Sequence, residues 1–357
     1  TVKGGVLIDL GGRDETDGLL LEAHADTLGG MVAAGAVYVL ISLIIRFRGT
    51  GIILRLLPPI VTGPVIVVIG LVLAPVAVNM ALGKNSDGSA VLFPEQTALI
   101  VSMVSLAATV LASLLGRGLL RLVPILCGIT VGYVCSILLG IHDFGKMAAA
   151  PWFSVPNFVF PEFRLEAILY IIPITLAPLI EHFGDVIAIS SVTGKDFLKD
   201  PGIKNTMLGD GLATMFDSLV GGPPNTTYSE VTGAVALTRA FNPAIMTWAA
   251  LCAILLACVN KLGAFLSSIP TPVMGGIMIL LFGAIMVVGL NTLVRAGHDL
   301  MEPRNLAVVA LIIIFGVGGM TFNIGSFRLG GIGLAAVTGV LLNLVLPRAR
   351  AEKRAAA

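Results

Sequence analysis

Glu181, His182 and Asp185 are three ionisable residues inside the apolar run 166–191, which is long enough to cross a bilayer. A charged side chain at the centre of a bilayer costs about 2.5–3.5 kcal/mol on insertion scales, so it usually faces the protein interior on an ion, proton or substrate pathway. Glu181 and Asp185 are four positions apart, so one helix face presents both carboxylates. This spacing predicts a polar site inside the membrane. The alternative is a helix that ends early and leaves these residues at the surface near Lys195.

A second polar segment covers residues 221–239. The run Gly221–Pro224 breaks a helix, the Thr-Thr-Tyr sequence that follows favours an extended strand, and helical sequence resumes at about Glu230. Broken helices at membrane depth line cavities, and the N-terminus of a half-helix offers N–H donors to a ligand. Glu230 would be stabilised there as an anion that accepts hydrogen bonds from the ring N–H groups of a planar solute. A helix-capping carboxylate with no ligand is the alternative.

Asp210 and Asp217 lie between these two segments in a short, glycine-containing span that we predict to be irregular. They either lie at the membrane interface or add to the polar pathway.

The elements that carry these residues are membrane spans. The chain of 357 residues is 56% hydrophobic and 12% charged, with a mean hydropathy of +0.98, whereas soluble domains are about 25% charged. An all-α polytopic membrane protein is therefore predicted. The candidate spans are 28–46, 56–81, 96–116, 119–141, 166–191, 205–221, 225–241, 244–263, 271–292, 304–319 and 329–346.

Lys and Arg residues concentrate in every second gap between these spans, which marks the cytoplasmic side. The groups are Arg46, Arg48 and Arg55; Arg117 and Arg121; Lys195, Lys199 and Lys204; Arg239; Arg295 and Arg304; and Arg348, Arg350, Lys353 and Arg354. The C-terminus is thus expected inside and, with eleven spans, Thr1 outside. Because residues 1–27 show no signal-peptide pattern, we expect preceding spans to be missing. The alternative is an eleven-span protein with an extracytoplasmic tail.

Pro-then-Gly helix entries recur about 210 positions apart, at Pro58–Gly63 and at Ile269–Gly276. Weak internal repeats of this kind are typical of transporters built from inverted repeats. The chain contains no HExxH, Walker A, G-x-S-x-G or GxGxxG motif, so the sequence disfavours a metal site, an ATP-driven pump or a membrane hydrolase. The net charge of +1 gives no reason to expect a nucleic-acid partner. We predict a carrier rather than an enzyme, with no cofactor.

From residue 28 to residue 346 the sequence resembles the nucleobase/ascorbate transporter family (nucleobase:cation symporter family 2), and within it the bacterial uracil and pyrimidine permeases. The segments that carry the resemblance are Glu-His-Phe-Gly at 181–184, Lys-Asp-Phe-Leu-Lys-Asp-Pro-Gly at 195–202, Asn-Thr-Thr-Tyr-Ser-Glu at 225–230 and the stretch 233–239 ending in Thr-Arg.

The resemblance implies fourteen spans in two inverted seven-span repeats, with core and gate domains, short strands in the broken helices, and a chain here that lacks the first three spans. The implied division is a polar, extracytoplasmic segment 1–27, core 28–48, gate 49–141, an extracytoplasmic loop 142–163, core 164–265, gate 266–347 and a cytoplasmic tail 348–357 in the inner membrane. A homodimer is an open alternative.

By the same resemblance, Glu181 hydrogen-bonds the base, and Tyr228, Ser229 and Glu230 bind its other edge. The sequence departs from the family pattern at Val231, where the family usually has Asn, and at Asp185, where the uracil permease has His. The prediction is proton-coupled uptake of uracil or a related pyrimidine by alternating access, with Glu181 and Asp185 in proton coupling. A xanthine or urate symporter of the same family, and an anion exchanger or channel that shares the fold, are the alternatives.

Overall fold

A computed structural model describes residues 18–49, 51–154, 158–227, 230–324 and 327–347, and within helices and strands it leaves some side chains undescribed. Its elements in chain order are α1 Gly18–Arg48, α2 Gly51–Leu56, α3 Pro59–Ala81, α4 Glu95–Leu115, α5 Leu119–Leu122, α6 Pro124–Leu138, α7 Gly145–Ala149, α8 Leu165–Ile174, α9 Leu176–Thr193, a π-helical turn Leu198–Gly202, α10 Ile203–Leu219, α11 Glu230–Thr238, α12 Ala244–Ala257, α13 Asn260–Ser267, α14 Thr271–Ala296, α15 Pro303–Val317, β1 Thr321–Ile324, β2 Phe327–Gly330 and α16 Gly331–Val345.

Several of these helices are membrane-spanning by length and composition. Within the described ranges, the helical segments long and apolar enough to cross a bilayer are Leu28–Arg48, Pro59–Ala81, Glu95–Leu115, Leu165–Thr193 and Thr271–Ala296. Shorter apolar helices are Pro124–Leu138, Ala244–Ala257, Pro303–Val317 and Gly331–Val345. The prediction of a mostly helical, polytopic membrane protein is confirmed. The seven-plus-seven repeat and the missing first spans stay predictions.

The interruptions between helices follow the sequence. Pro173 lies in the last turn of α8, where it removes a backbone donor, and the chain turns at Thr175 before α9 begins. The hydroxyl of Thr175 donates to the carbonyl of Ile171 at 2.9 Å. One prediction is wrong, because residues 203–219 form the continuous helix α10 instead of an irregular span.

The described residues form two compact units. The first comprises residues 73–154 and 230–283, and the second comprises 18–72, 158–227 and 284–347. The core and gate division expected from the sequence stays a prediction.

In the first unit, small residues let helices approach closely. A Cβ atom at Gly132 of α6 would lie 2.8 Å from the Cβ of Ser105 on α4. The buried Ser105 hydroxyl lies 3.0 Å from the carbonyl oxygen of Gly128 and 3.2 Å from that of Val273. One side chain therefore connects α4, α6 and α14.

In the second unit, α1 packs against α10 at a pair of glycines. A Cβ at Gly35 would lie 2.6 Å from the carbonyl oxygen of Gly211, and a Cβ at Gly211 would lie 2.7 Å from the Cβ of Tyr38. The Ser42 hydroxyl donates to the carbonyl of Lys204 at 2.6 Å, about two helical turns from the contact of Gly35 with Gly211. This close contact brings Tyr38 of α1 to the polar residues of α10.

Also in the second unit, the antiparallel hairpin β1–β2 pairs Thr321 with Gly330 and Ile324 with Phe327, and leads directly into α16. The sequence did not predict this hairpin.

Asn343 on α16 is 4% exposed, and its side chain donates to the backbone carbonyls of Arg55 at 2.9 Å and Leu56 at 3.2 Å. It also accepts a 2.8 Å hydrogen bond from the Arg304 guanidinium.

Candidate functional site

Helix α9 carries the polar residues predicted to work inside the membrane. Its residues His182 and Asp185 are buried, at 3% and 6% exposed, and Glu181 is half-buried. The helix continues to Thr193, two turns beyond Asp185, so the alternative of an early helix end is wrong. Glu181 and Asp185 therefore lie on a continuous helix in an apolar segment. Their roles in substrate binding and proton coupling stay predictions.

His182 is the centre of a hydrogen-bond network that joins three segments of the second unit. Its Nε2 atom lies 3.0 Å from the hydroxyl of Thr206 on α10. Its Nδ1 atom lies 2.7 Å from the hydroxyl of Thr227 and 3.1 Å from Oδ2 of Asp210. The Thr227 hydroxyl also donates to Asp210 Oδ2 at 3.3 Å. Both ring nitrogens of a buried histidine are thus satisfied, as expected for a polar group away from water.

The segment 223–227 before α11 makes two further hydrogen bonds to α10. The side-chain Nδ2 of Asn225 donates to Oδ2 of Asp217 at 2.6 Å. The Thr214 hydroxyl donates to the carbonyl oxygen of Asn225 at 3.2 Å. The bond between Asn225 and Asp217 is exposed, and it links this segment to α10. That Asp210 and Asp217 either lie at the membrane interface or add to the polar pathway stays a prediction.

Tyr38 of α1 packs against His182 of the hydrogen-bond network. Its ring meets that of His182 edge-on, with centroids 6.2 Å apart and an interplanar angle of 88°. The side chain is 5% exposed, and its hydroxyl lies close enough to Asp210, Glu181 and Asp185 to interact with all three electrostatically. Within the described part of the chain the hydroxyl makes no hydrogen bond. Two of the carboxylates predicted from sequence therefore share one polar region with Asp210 and His182.

The second predicted half of the site begins where expected, at a helix N-terminus. Helix α11 starts at Glu230, and residues 223–227 before it have no regular secondary structure. Tyr228, Ser229 and the side chain of Glu230 lie outside what the structure describes. Glu230 belongs to the first unit and Glu181 to the second. That the two halves bind one substrate stays a prediction.

The sequence pointed to His182 and Asp210 without a role for His182, it pointed to Thr227 only as part of the segment 225–230, and it gave no sign of Thr206. The available signal was a third ionisable residue beside Glu181, because a buried histidine requires partners for both ring nitrogens. Which residues supply them depends on helix packing. Among the described residues, no cluster of His, Cys, Asp and Glu has the geometry to hold a metal ion.

A mostly helical chain with several apolar spans and ionisable side chains buried inside them is a multi-pass membrane transport protein. Residues 7–325 match the family model of xanthine and uracil permeases, which is described as "Permease family". The chain belongs to this family, the nucleobase/ascorbate transporter family recognised from the motifs at 181–184 and 225–230. Its members are transporters and not enzymes.

Curated relatives match along most of the chain. A probable uracil permease of Pasteurella multocida is 53% identical over 326 residues, which is 91% of this chain and 77% of the relative. The uracil permease of Bacillus caldolyticus is 44% identical over 325 residues, 89% of this chain and 74% of the relative. The uracil permease of Escherichia coli K12 is 40% identical over 327 residues, 92% of this chain and 76% of the relative.

Proposed function

We propose that the protein takes up uracil or a related pyrimidine across the cytoplasmic membrane together with a proton, by alternating access of a core and a gate domain. The observation that carries the proposal is the polar cluster of Glu181, His182 and Asp185 on the membrane-span-capable segment Leu165–Thr193, with Asp210 of α10 bound to His182, in a chain whose relatives are named uracil permeases. The permease match favours a symporter over an anion exchanger or channel. The C-terminus is proposed to be cytoplasmic.

Glu181 is proposed to accept hydrogen bonds from the ring N–H groups of the base, with Tyr228, Ser229 and Glu230 at its other edge. Uracil is planar and presents alternating N–H donors and carbonyl acceptors, which suit a carboxylate on one side and backbone N–H groups on the other. Protonation of the carboxylates would let them cross the occluded state without a net charge in a medium of low dielectric constant. Glu181 and Asp185 are proposed to hold this proton, so the proton itself is the coupling ion and no other cofactor is required.

The proposal is tested by reconstituting the protein in liposomes and following radiolabelled uracil with and without an inward proton gradient. We expect accumulation that depends on the gradient, and competition by thymine that exceeds competition by xanthine and urate. The Glu181→Gln variant should bind uracil about 10- to 150-fold more weakly, because one charge-assisted hydrogen bond is worth about 1.5–3 kcal/mol.

Glu166→Gln is the matched control, since Glu166 lies exposed in the first turn of α8 and should leave uptake unchanged. Uptake that ignores the proton gradient would contradict proton coupling. Uptake of xanthine without uracil would move the substrate to purines. No uptake of any base would refute the substrate class.

A further inference from the structure

We propose that His182 is itself a proton-binding site, separate from Glu181, in which the proton is held at Nε2, Asp210 is the counter-charge and the Thr206 hydroxyl turns when the proton arrives. The inference rests on the proposed function for its place in transport.

The Thr206 hydroxyl on α10 carries one hydrogen. That single hydrogen has two acceptors within reach, the carbonyl oxygen of Ile203 at 3.1 Å and Nε2 of His182 at 3.0 Å. If Thr206 donates to Nε2, the imidazole nitrogen is a bare acceptor. If Thr206 donates to Ile203, its oxygen is free to accept a hydrogen bond from a protonated Nε2. Both arrangements use the same positions of the heavy atoms.

The second nitrogen carries a hydrogen in both arrangements. Asp210 Oδ2 lies 3.1 Å from Nδ1, and a bare Nδ1 would place two acceptors against each other. With Nδ1 protonated, the ring donates to Asp210 or Thr227, and Thr227 still donates to Asp210. The neutral imidazole is therefore the Nδ1–H form, and the charged imidazole adds one hydrogen at Nε2.

Asp210 is placed to act as the counter-charge of a protonated His182. The imidazole side chain is 4% exposed and the Asp210 side chain 15%, so an unpaired positive charge there would be costly, whereas an ion pair at 3.1 Å compensates it. Among the described residues, the carboxylates of Asp210, Glu181 and Asp185 interact electrostatically with the Tyr38 hydroxyl, and the Tyr38 ring packs edge-on against His182.

Thr227 connects the proton to the substrate site. It lies in the extended segment one residue before the predicted base-binding positions 228–230, and its hydroxyl is shared between His182 and Asp210. Hydrogen bonds from an ionised donor are shorter and stronger than those from a neutral one. Loss of the proton from His182 therefore loosens Thr227, and with it the segment that would contact the base.

The first test reads the proton directly and requires no substrate. The chain has four histidines, so the ring nitrogen signals of His182 can be assigned in NMR spectra of histidine-labelled protein by their loss in His182→Gln. We expect an Nδ1–H ring at alkaline pH that gains one proton at Nε2 as the pH is lowered. A ring that stays neutral between about pH 5 and 8, or a neutral ring protonated at Nε2, would overturn the proposal.

The second test reads the coupling through uracil affinity as a function of pH. One linked proton changes a dissociation constant by at most about tenfold per pH unit, and this slope should fall in His182→Gln. Thr206→Val removes the hydroxyl that can donate to a bare Nε2 and accept from a protonated Nε2. Its loss destabilises the imidazolium more than the neutral ring, so the pH transition of uracil affinity in this variant should move to lower pH. Thr206→Ser keeps the hydroxyl and should retain the transition of the unmodified protein.

Thr130→Val is the matched control, because the exposed Thr130 hydroxyl of α6 donates only to Leu126 in the described structure. A pH profile unchanged in His182→Gln, or identical profiles for the Val and Ser variants of Thr206, would overturn the inference while leaving uracil transport intact. An unmodified protein that binds no base would instead refute the proposed function, and the NMR titration would still decide the proton site.

Discussion

Replacing Gly211 with alanine should separate α1 from α10 and thereby disturb the polar cluster. The added Cβ would lie 2.7 Å from the Cβ of Tyr38 and 2.8 Å from the carbonyl oxygen of Gly35. Contacts this short force backbone movement, and overpacking of this kind typically costs about 1–3 kcal/mol. Alanine also gains about 1 kcal/mol over glycine in a helix interior. The net effect of Gly211→Ala alone is therefore a loss of about 0–2 kcal/mol.

Gly209 provides the matched control, because it lies on the same helix and a Cβ there would meet nothing within 4 Å. Gly209→Ala carries the same gain in helix propensity without the clash. The difference between the two variants isolates the contact, at about 1–3 kcal/mol or about a 5- to 150-fold change in the unfolding equilibrium.

Thermal unfolding in detergent, followed by circular dichroism, measures this difference. We expect Gly211→Ala to melt at least about 2 °C below Gly209→Ala, and to bind uracil more weakly because Tyr38 and Asp210 move apart. Equal melting temperatures for the two variants would refute the close packing of α1 on α10.

Two further predictions concern the buried Asn343 and the exposed Asn225. Asn343→Leu should lower the melting temperature by the equivalent of about 1–3 kcal/mol per buried group left unsatisfied, because Arg304 and the carbonyl of Arg55 lose their hydrogen-bond partner. The control is Leu344→Ala on the exposed face of α16. Equal melting temperatures for the two variants would argue against this hydrogen-bond network. Asn225→Leu should weaken uracil binding about 10-fold or more with little change in melting temperature, because it releases the segment 223–227 from Asp217. An unchanged dissociation constant for uracil would exclude a role of the Asn225–Asp217 hydrogen bond in binding.

The sequence predicted the membrane spans well where apolar runs are long, because about 20 apolar residues suffice to specify a span. It failed on α10, whose Gly-Asp-Gly sequence suggested an irregular segment. Glycine at 211 is required there because α1 approaches at that position, and this packing outweighs the low helix propensity of glycine. The hairpin of β1 and β2 was also missed, since its strands are only four residues long and lie beside an apolar helix.

The positions of Glu181 and Asp185 could be predicted because both lie on one helix, where a spacing of four residues has a fixed geometric meaning. The partners of His182 could not. Thr206, Asp210 and Thr227 are 24, 28 and 45 residues away in sequence, and their contacts depend on how α9, α10 and the following segment pack. Local sequence periodicity carries no information about such contacts.

The hydrogen bonds of Asn343 have a consequence for the order in which the protein is assembled. Asn343 donates to a carbonyl 288 residues earlier in the chain. At a synthesis rate of about 5–20 residues per second, the ribosome needs about 15–60 s to add those 288 residues. For that time the Arg55 carbonyl at the end of α2 lacks the Asn343 side chain as a hydrogen-bond donor. During insertion the carbonyls of Arg55 and Leu56 must remain hydrated or be shielded by the insertion machinery. The contact between Asn343 and Arg55 can form only after Asn343 of α16 has left the ribosome.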